Sequence, residues 1–247
     1  MQVTSADDAD SLPLTFDKPI AIVGGGTVEA GMLREMAGRG VALVGADGGG
    51  DVIGAAGLVP EAIIGDLDSL EDLAAWRRQT RVLHIPEQIT TDFEKCVYST
   101  IAPVTIALGM TGKRFDHSLA ALHVVARYAG ERAIILVDEH DIALGVRGAL
   151  QFTAMQGERV SMHPLEPVRF ARSSGLRYPL DGLTLAPGVL TGVSNEGTGG
   201  RVSAEPEAGE DGAWLLILEK SRLWDLVGTI SSMGWPQTVR VEHPHAG

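Results

Sequence analysis

The sequence predicts a mixed α/β architecture in two parts, a parallel-sheet domain followed by a mostly antiparallel β-domain of sandwich type. Three observations carry the prediction. Short apolar runs alternate with helical patterns between Ile20 and Val137, as in strands joined by crossover helices. After about Gly148 the texture changes to β-type runs broken by glycine and proline. The aspartate- and glycine-rich clusters follow the apolar runs, at the sheet edge where open α/β folds bind ligands.

In chain order, residues 1–17 are polar and acidic and read as a loose arm, with neither the basic start nor the apolar stretch of a secretory signal. Strands are expected at residues 20–23, 41–44, 62–64, 82–85, 104–108 and 133–137. Helices are expected at 28–39, 70–78, 92–101 and 116–129, the second opened by a capping-box pattern from Ser69 to Asp72 and the third capped by Thr90 or Thr91. The boundary falls near residues 145–148, giving a first domain of 18–147 and a β-domain of 148–220 with runs at 151–154, 159–162, 168–171 and 214–218. Residues 221–247 form an extension in which Leu223, Leu226, Val227 and Ile230 recur at helical spacing.

The bulk properties narrow the function classes. With 247 residues, 45% apolar and 21% charged, the chain has the composition of a soluble globular protein, and no apolar stretch approaches the roughly 20 residues of a membrane helix. A net charge of −12 argues against a sequence-independent nucleic-acid binder, which needs a basic footprint on phosphates. Cys96 is the only cysteine, so an intramolecular disulfide and a zinc-thiolate cluster are excluded and a reducing cytoplasm fits.

Five clusters carry candidate chemistry. Gly24-Gly25-Gly26 follows the first strand, either as a tight turn or as a backbone that lets Gly25 and Gly26 approach phosphate. Asp47, with Gly48 after it, ends the second strand as a ligand contact or as a turn former bonded to its own amides. In Gly65-Asp66-Leu67-Asp68-Ser69 an extended backbone would send Asp66 and Asp68 to one face and Leu67 inward, a pairing suited to Mg²⁺; the alternative is a turn former and a cap. Gln88 to Lys95 brings Asp92 to a helix start, as a third metal carboxylate or as a residue favoured by the helix dipole. Thr111-Gly112-Lys113-Arg114-Phe115-Asp116-His117 carries two cations from a glycine turn into a helix, for gripping polyphosphate or merely facing solvent, and lacks the Walker A spacing.

In that order and spacing, the segments ADGG, GDLDS, Gln88 to Lys95 and TGKRFDH resemble the thiamine pyrophosphokinase family. Gly175 to Leu180 and Gly192-Val193-Ser194-Asn195-Glu196 are similar to two motifs of that family's thiamine-binding β-domain. The resemblance implies a Rossmann-like ATP domain, a β-sandwich domain, and a homodimer whose clefts lie between subunits. It implies diphosphoryl transfer from ATP to thiamine with Mg²⁺. Asp66, Asp68 and Asp92 would hold the metal, with Asp47 nearby. Gln88 would contact nucleotide or transferring phosphates, Arg114, Asp116 and His117 would complete the phosphate wall, and Ser194 with Asn195 would face thiamine. Gly197-Thr198-Gly199-Gly200 departs from the bulky residue that commonly follows Ser-Asn in the family, leaving Trp214 or Trp224 as aromatic candidates by type, or as core residues. Another Mg²⁺-dependent phosphoryl or diphosphoryl transferase and a noncatalytic nucleotide sensor are the alternatives.

Overall fold

The computed structural model describes residues 13–235. One compact unit extends to Ala121 and another begins at Leu122. The first contains β1 (Leu14–Thr15), β2 (Ile20–Val23), α1 (Ala30–Gly38), β3 (Ala42–Ala46), α2 (Gly49–Ala55), β4 (Ala62–Gly65), α3 (Leu73–Trp76), β5 (Arg81–His84), α4 (Asp92–Ser99), β6 (Thr100–Ile101), β7 (Thr105–Leu108) and the first half of α5 (Phe115–Tyr128). Its main strands run in the order β7-β2-β3-β4-β5, each parallel to its neighbour. Strands β2, β3, β4 and β7 are buried at every position, as a parallel sheet covered on both faces requires, so they show continuous apolar runs and no alternation.

Several elements differ from expectation. The helix expected at 70–78 shrinks to one turn, because Asp72 itself caps it: its carboxylate accepts from the Ala75 N–H at 2.8 Å. Ser69 is not the cap; its N–H donates to Asp47 Oδ2 and its hydroxyl to Asp68 Oδ1. Thr91 caps α4, accepting from Glu94 N–H at 3.3 Å. That helix stops at Ser99, and Thr100–Ile101 instead form β6, which pairs in parallel with Leu14–Thr15 inside the expected arm. Helix α2 had no apolar period to announce it, since four of its seven residues are Gly or Ala.

The second unit holds the rest of α5, then β8 (Ile134–Val137), β9 (Asp141–Arg147), β10 (Leu150–Pro164), β11 (Val168–Ser174), β12 (Thr184–Leu185), β13 (Gly192–Pro206), β14 (Ala213–Glu219) and α6 (Leu223–Met233). The strand order is β12-β11-β13-β10-β14-β9-β8, antiparallel at each pairing. Runs 151–154 and 159–162 join into the 15-residue β10, with bulged register near Gln156 and Arg159. Trp214 is fully buried, meets the Phe170 ring edge-on at 5.6 Å and donates to Gly148 O, so it belongs to the core.

The units divide within α5, whereas the sequence reading places the boundary near 145–148. The reason is β9: Arg147 Nη2 donates to Ala126 O at 3.2 Å, and a Cβ on Gly145 would lie 2.4 Å from Val125 Cγ1. The back half of α5 and β8 therefore pack with the antiparallel strands. In the expected C-terminal extension, α6 buries Leu223, Leu226, Val227 and Ile230 and ends at Gly234 in the left-handed conformation; residues 236–247 lie outside the described residues.

Candidate active site

A cavity of about 390 Å³ opens at the carboxyl ends of the parallel strands in the first unit. Gly24, Gly25 and Gly26 after β2 form one wall, facing Gly109, Met110 and Thr111 after β7. The two turns touch closely enough that a Cβ on Gly26 would lie 2.3 Å from Gly109 O, so a larger residue would displace one of them.

Asp47 follows β3 with φ 48°, a left-handed conformation that Asp tolerates better than most residues, and its side chain is buried. One carboxylate oxygen accepts from Ser69 N–H at 3.2 Å; the other, Oδ1, is buried without a hydrogen-bond partner. Burial pushes the Asp47 carboxyl above its ordinary range, the Ser69 bond opposes this, and the charges of Asp92 and Asp66 add to the rise.

Strand β4 ends at Gly65, one residue past the expected 62–64, and the extended backbone expected from Asp66 to Asp68 is broken at Leu67. The side chains are instead presented by a loop in which Leu67 adopts φ 66° and packs inward with Ile63 and Trp76. Asp51 on α2 holds this loop, accepting from the Trp76 indole N–H at 2.7 Å and from Glu71 N–H at 2.9 Å. Gln88 donates to Asp66 Oδ2 at 2.7 Å. That bond holds Asp66 below the usual carboxylate range against the effect of burial, with help from the Asp68 N–H and the Lys95 charge.

Among the described residues, Asp47, Asp66 and Asp68 each offer a ligand oxygen within 4.8 Å of the others, close enough to share one ion. Asp92 borders the same cavity but is outside that group. Its Oδ1 accepts from Asp66 N–H at 3.3 Å and from the ammonium of Lys95 at 3.0 Å. Lys95 is 1% exposed and also lies 3.8 Å from Asp66 Oδ2. A buried ammonium between two carboxylates offsets their mutual repulsion and fixes their spacing. The donor set, which includes the orphaned buried oxygen of Asp47, suits a hard divalent cation such as Mg²⁺.

Thr111, Lys113, Arg114 and His117 also line the cavity, with Lys113 Nζ 3.4 Å from Gly25 O. Arg114 is exposed and forms a two-point pair with Asp116, at 3.1 and 2.6 Å. Asp68, Gly112 and Asp116 are not among the lining residues, whereas Gly48, Gln88 and Asp92 are.

Two functional contacts escaped the sequence reading. Lys95 was visible only as a basic residue three positions after Asp92, a spacing that places the two on one helix face. Glu87 accepts from Ile89 N–H at 2.7 Å, Thr90 N–H at 3.0 Å, the Thr90 hydroxyl and the Tyr98 hydroxyl at 3.2 Å, so it clasps the loop that carries Gln88. No motif marks it.

Ser194 and Asn195 lie in the second unit. Ser194 has φ 56° and donates its N–H to the Ser161 hydroxyl at 2.9 Å. Asn195 is buried; its Oδ1 accepts from Tyr178 N–H at 3.0 Å and Glu196 N–H at 2.8 Å, and its Nδ2 donates to Tyr178 O at 2.7 Å. Its amide thus ties the two β-domain motifs to each other.

Fold and site define a class: a mixed α/β enzyme with an acidic, glycine-walled cavity at the strand ends of one unit and a large antiparallel sheet in the other. Residues 34–137 match the family model of the thiamin pyrophosphokinase catalytic domain. The chain is 27% identical to thiamin pyrophosphokinase 1 of Caenorhabditis elegans over 158 residues, covering 58% of this chain and 65% of that protein. It is 28% identical to thiamine pyrophosphokinase 1 of Arabidopsis thaliana over 182 residues, covering 66% and 67%. The match thus spans about two thirds of the length of these curated relatives. The crystal structure of thiamin pyrophosphokinase from Geobacillus thermodenitrificans superposes with a TM-score of 0.67 at 26% identity, covering 82% of this chain and 97% of that one. The yeast thiamin pyrophosphokinase structure shares the fold, with a TM-score of 0.70 at 13% identity over 92% and 97% of the two chains. Among the described residues, no helix is long and apolar enough to cross a membrane.

Proposed function

We propose that the protein transfers the diphosphoryl group of ATP to thiamine, giving thiamine diphosphate and AMP, in the cytoplasm. The observation that carries the reading is the group of Asp47, Asp66 and Asp68 beside the glycine turns of a thiamin pyrophosphokinase catalytic domain. In this reading the first unit is the Rossmann-like ATP domain, the second is the sandwich-type thiamine domain, and two chains pair to complete the clefts.

Asp66 and Asp68 are the principal metal ligands, and the unpartnered Oδ1 of Asp47 supplies the nearest third. Mg²⁺ held there would supply charge neutralisation on the phosphate oxygens. Asp92 sits one step back, paired with Lys95 and bonded to the Asp66 amide, and so orients the ligand set.

Backbone at Gly25, Gly26, Gly48, Thr111 and Gly112 cradles the polyphosphate, and Lys113 and Arg114 offset its charge. Gln88, clasped in place by Glu87, reaches the transferring phosphates beside Asp66. Asp116 pairs with Arg114 at two points, His117 closes the wall, and Ser194 and Asn195 serve the acceptor side. The acceptor oxygen bonds to the β-phosphorus, the bridging oxygen leaves with AMP, and the hydroxyl proton is released. Positioning and electrostatics do most of the work in such transfers.

Incubation with ATP, Mg²⁺ and a panel of hydroxyl acceptors tests the reading. Thiamine is expected to be the preferred acceptor. Preference for a different alcohol, or ATP binding without turnover, would replace it with another transferase or a nucleotide sensor.

A further inference from the structure

We propose that Arg222, at the entry to α6, is a positioning residue for the acceptor side of the site; this rests on the thiamine reading above. Through Glu158 it holds the bulge of β10 that sets the course of β13 at Ser194 and Asn195. A bulge puts two residues of one strand opposite one of its partner, bends the strand and re-aims the side chains beside it. Here the pairing passes from Gln156↔Thr198 directly to Arg159↔Glu196, so Gly157 and Glu158 together oppose Gly197, and Gly157 takes φ 80°. The next pair is Val160↔Asn195, and Ser194 donates its N–H to the Ser161 hydroxyl at 2.9 Å. The acceptor motif thus begins where the bulge ends.

One guanidinium closes around that bulge. Arg222 donates from Nη1 to Glu158 Oε1, from Nη2 to Thr153 O at 2.9 Å, and from Nε to Asp225 Oδ2 at 3.0 Å. The other Glu158 oxygen accepts from Met155 N–H at 2.7 Å. Residues 153–158 are therefore drawn into one folded segment tied to α6. That helix is a firm base, since its Leu223, Leu226, Val227 and Ile230 are buried. The segment also lies tight on β13: a Cβ on Gly197 would sit 2.8 Å from both Ala154 Cβ and Met155 O. Any shift of the bulge reaches the motif strand directly.

The side chains of Arg222 and Glu158 are only 13% and 5% exposed. Desolvation cancels most of the attraction in such a pair, so uncharged residues of similar volume would serve stability about as well. They would not fix the hydrogen-bond directions that shape the bulge.

Steady-state kinetics of the double variant Arg222→Met/Glu158→Gln test the proposal. It leaves no unpaired charge in the interior, and its glutamine still accepts from Met155 N–H. The melting temperature should stay near wild type and the ATP KM should not change, while the thiamine KM rises about three- to tenfold, the size of one weakened hydrogen bond. Arg222→Lys, which keeps the charge pair, should recover part of that rise. Asp225→Ala breaks only a bond to a side chain that is 72% exposed and should leave both KM values alone. If the double variant does not fold, Glu158→Gln alone gives the same comparison. An unchanged thiamine KM overturns the proposal, as does an equal rise in both KM values. Failure of the wild type to use thiamine at all would instead overturn the functional reading.

Discussion

Leu67 and Asp47 both occupy left-handed backbone, at φ 66° and 48°, next to the carboxylate group. Such conformations cost on the order of 1–3 kcal/mol each and persist where surrounding contacts over-determine them. Here Leu67 is held by its core contacts and the loop by Asp51, and the return is a cluster of three ligand oxygens. Asp66→Asn or Asp68→Asn should therefore lower turnover by on the order of 100-fold or more, with an unchanged far-UV spectrum, since each removes a charge from a loop and not from the core. Near-normal rates for both at limiting Mg²⁺ would remove them from the metal site. Arg114 is exposed at the cavity, and its pairing with Asp116 raises its guanidinium further above the ordinary value. Arg114→Ala should raise the ATP KM about tenfold while leaving the thiamine KM and thermal stability alone. Asp66 and Asp68 were legible in the sequence because two acids flanking an apolar residue after a strand is a recognisable pattern. The burial of Asp47 and the ammonium of Lys95 between Asp92 and Asp66 were not, because both depend on how β3, β4 and α4 pack.

At the scale of elements, the loop between β5 and α4 is organised by one side chain. Burial pushes the Glu87 carboxyl up, but bonds from Thr90, Ile89 and Tyr98 outweigh it and hold it below its ordinary value of 4.5. A depressed folded value means the stabilisation is fully present above the unfolded value and lost as pH falls through the folded one. The stability difference between wild type and Glu87→Gln, read from urea midpoints, should be constant above pH 4.5 and vanish below the folded value. The variant should also raise the ATP KM, because Gln88 loses its anchor. The sequence marked β2 to the residue and the other parallel strands to within two residues, since a buried parallel strand is a dense apolar run. It missed α2, made largely of Gly and Ala, and β6, where a two-residue pairing partner lies far away in sequence at Leu14–Thr15. Helix α3 was overdrawn because Ser69 and Asp72 both look like caps, and only the competing bonds of Ser69 to Asp47 and Asp68 decide between them.

At the scale of the whole molecule, the acidic cavity lies in one unit and Ser194 and Asn195 in the other. If two chains complete each cleft, mixing inactive Asp66→Asn protein with an inactive Asn195→Ala variant should restore activity after subunit exchange. Two-fold symmetry places both defects in one cleft of a heterodimer and leaves the other intact, so recovery should reach roughly half of the sites. Confirmed exchange without recovery would mean that each chain builds its cleft alone. In the proposed reaction the diphosphoryl group moves as a unit. The most direct test is the stoichiometry of products when wild-type protein meets ATP, Mg²⁺ and thiamine. Thiamine diphosphate and AMP should appear in equal amounts, with no thiamine monophosphate accumulating; ADP together with thiamine monophosphate, or ADP and phosphate with thiamine unchanged, would contradict it.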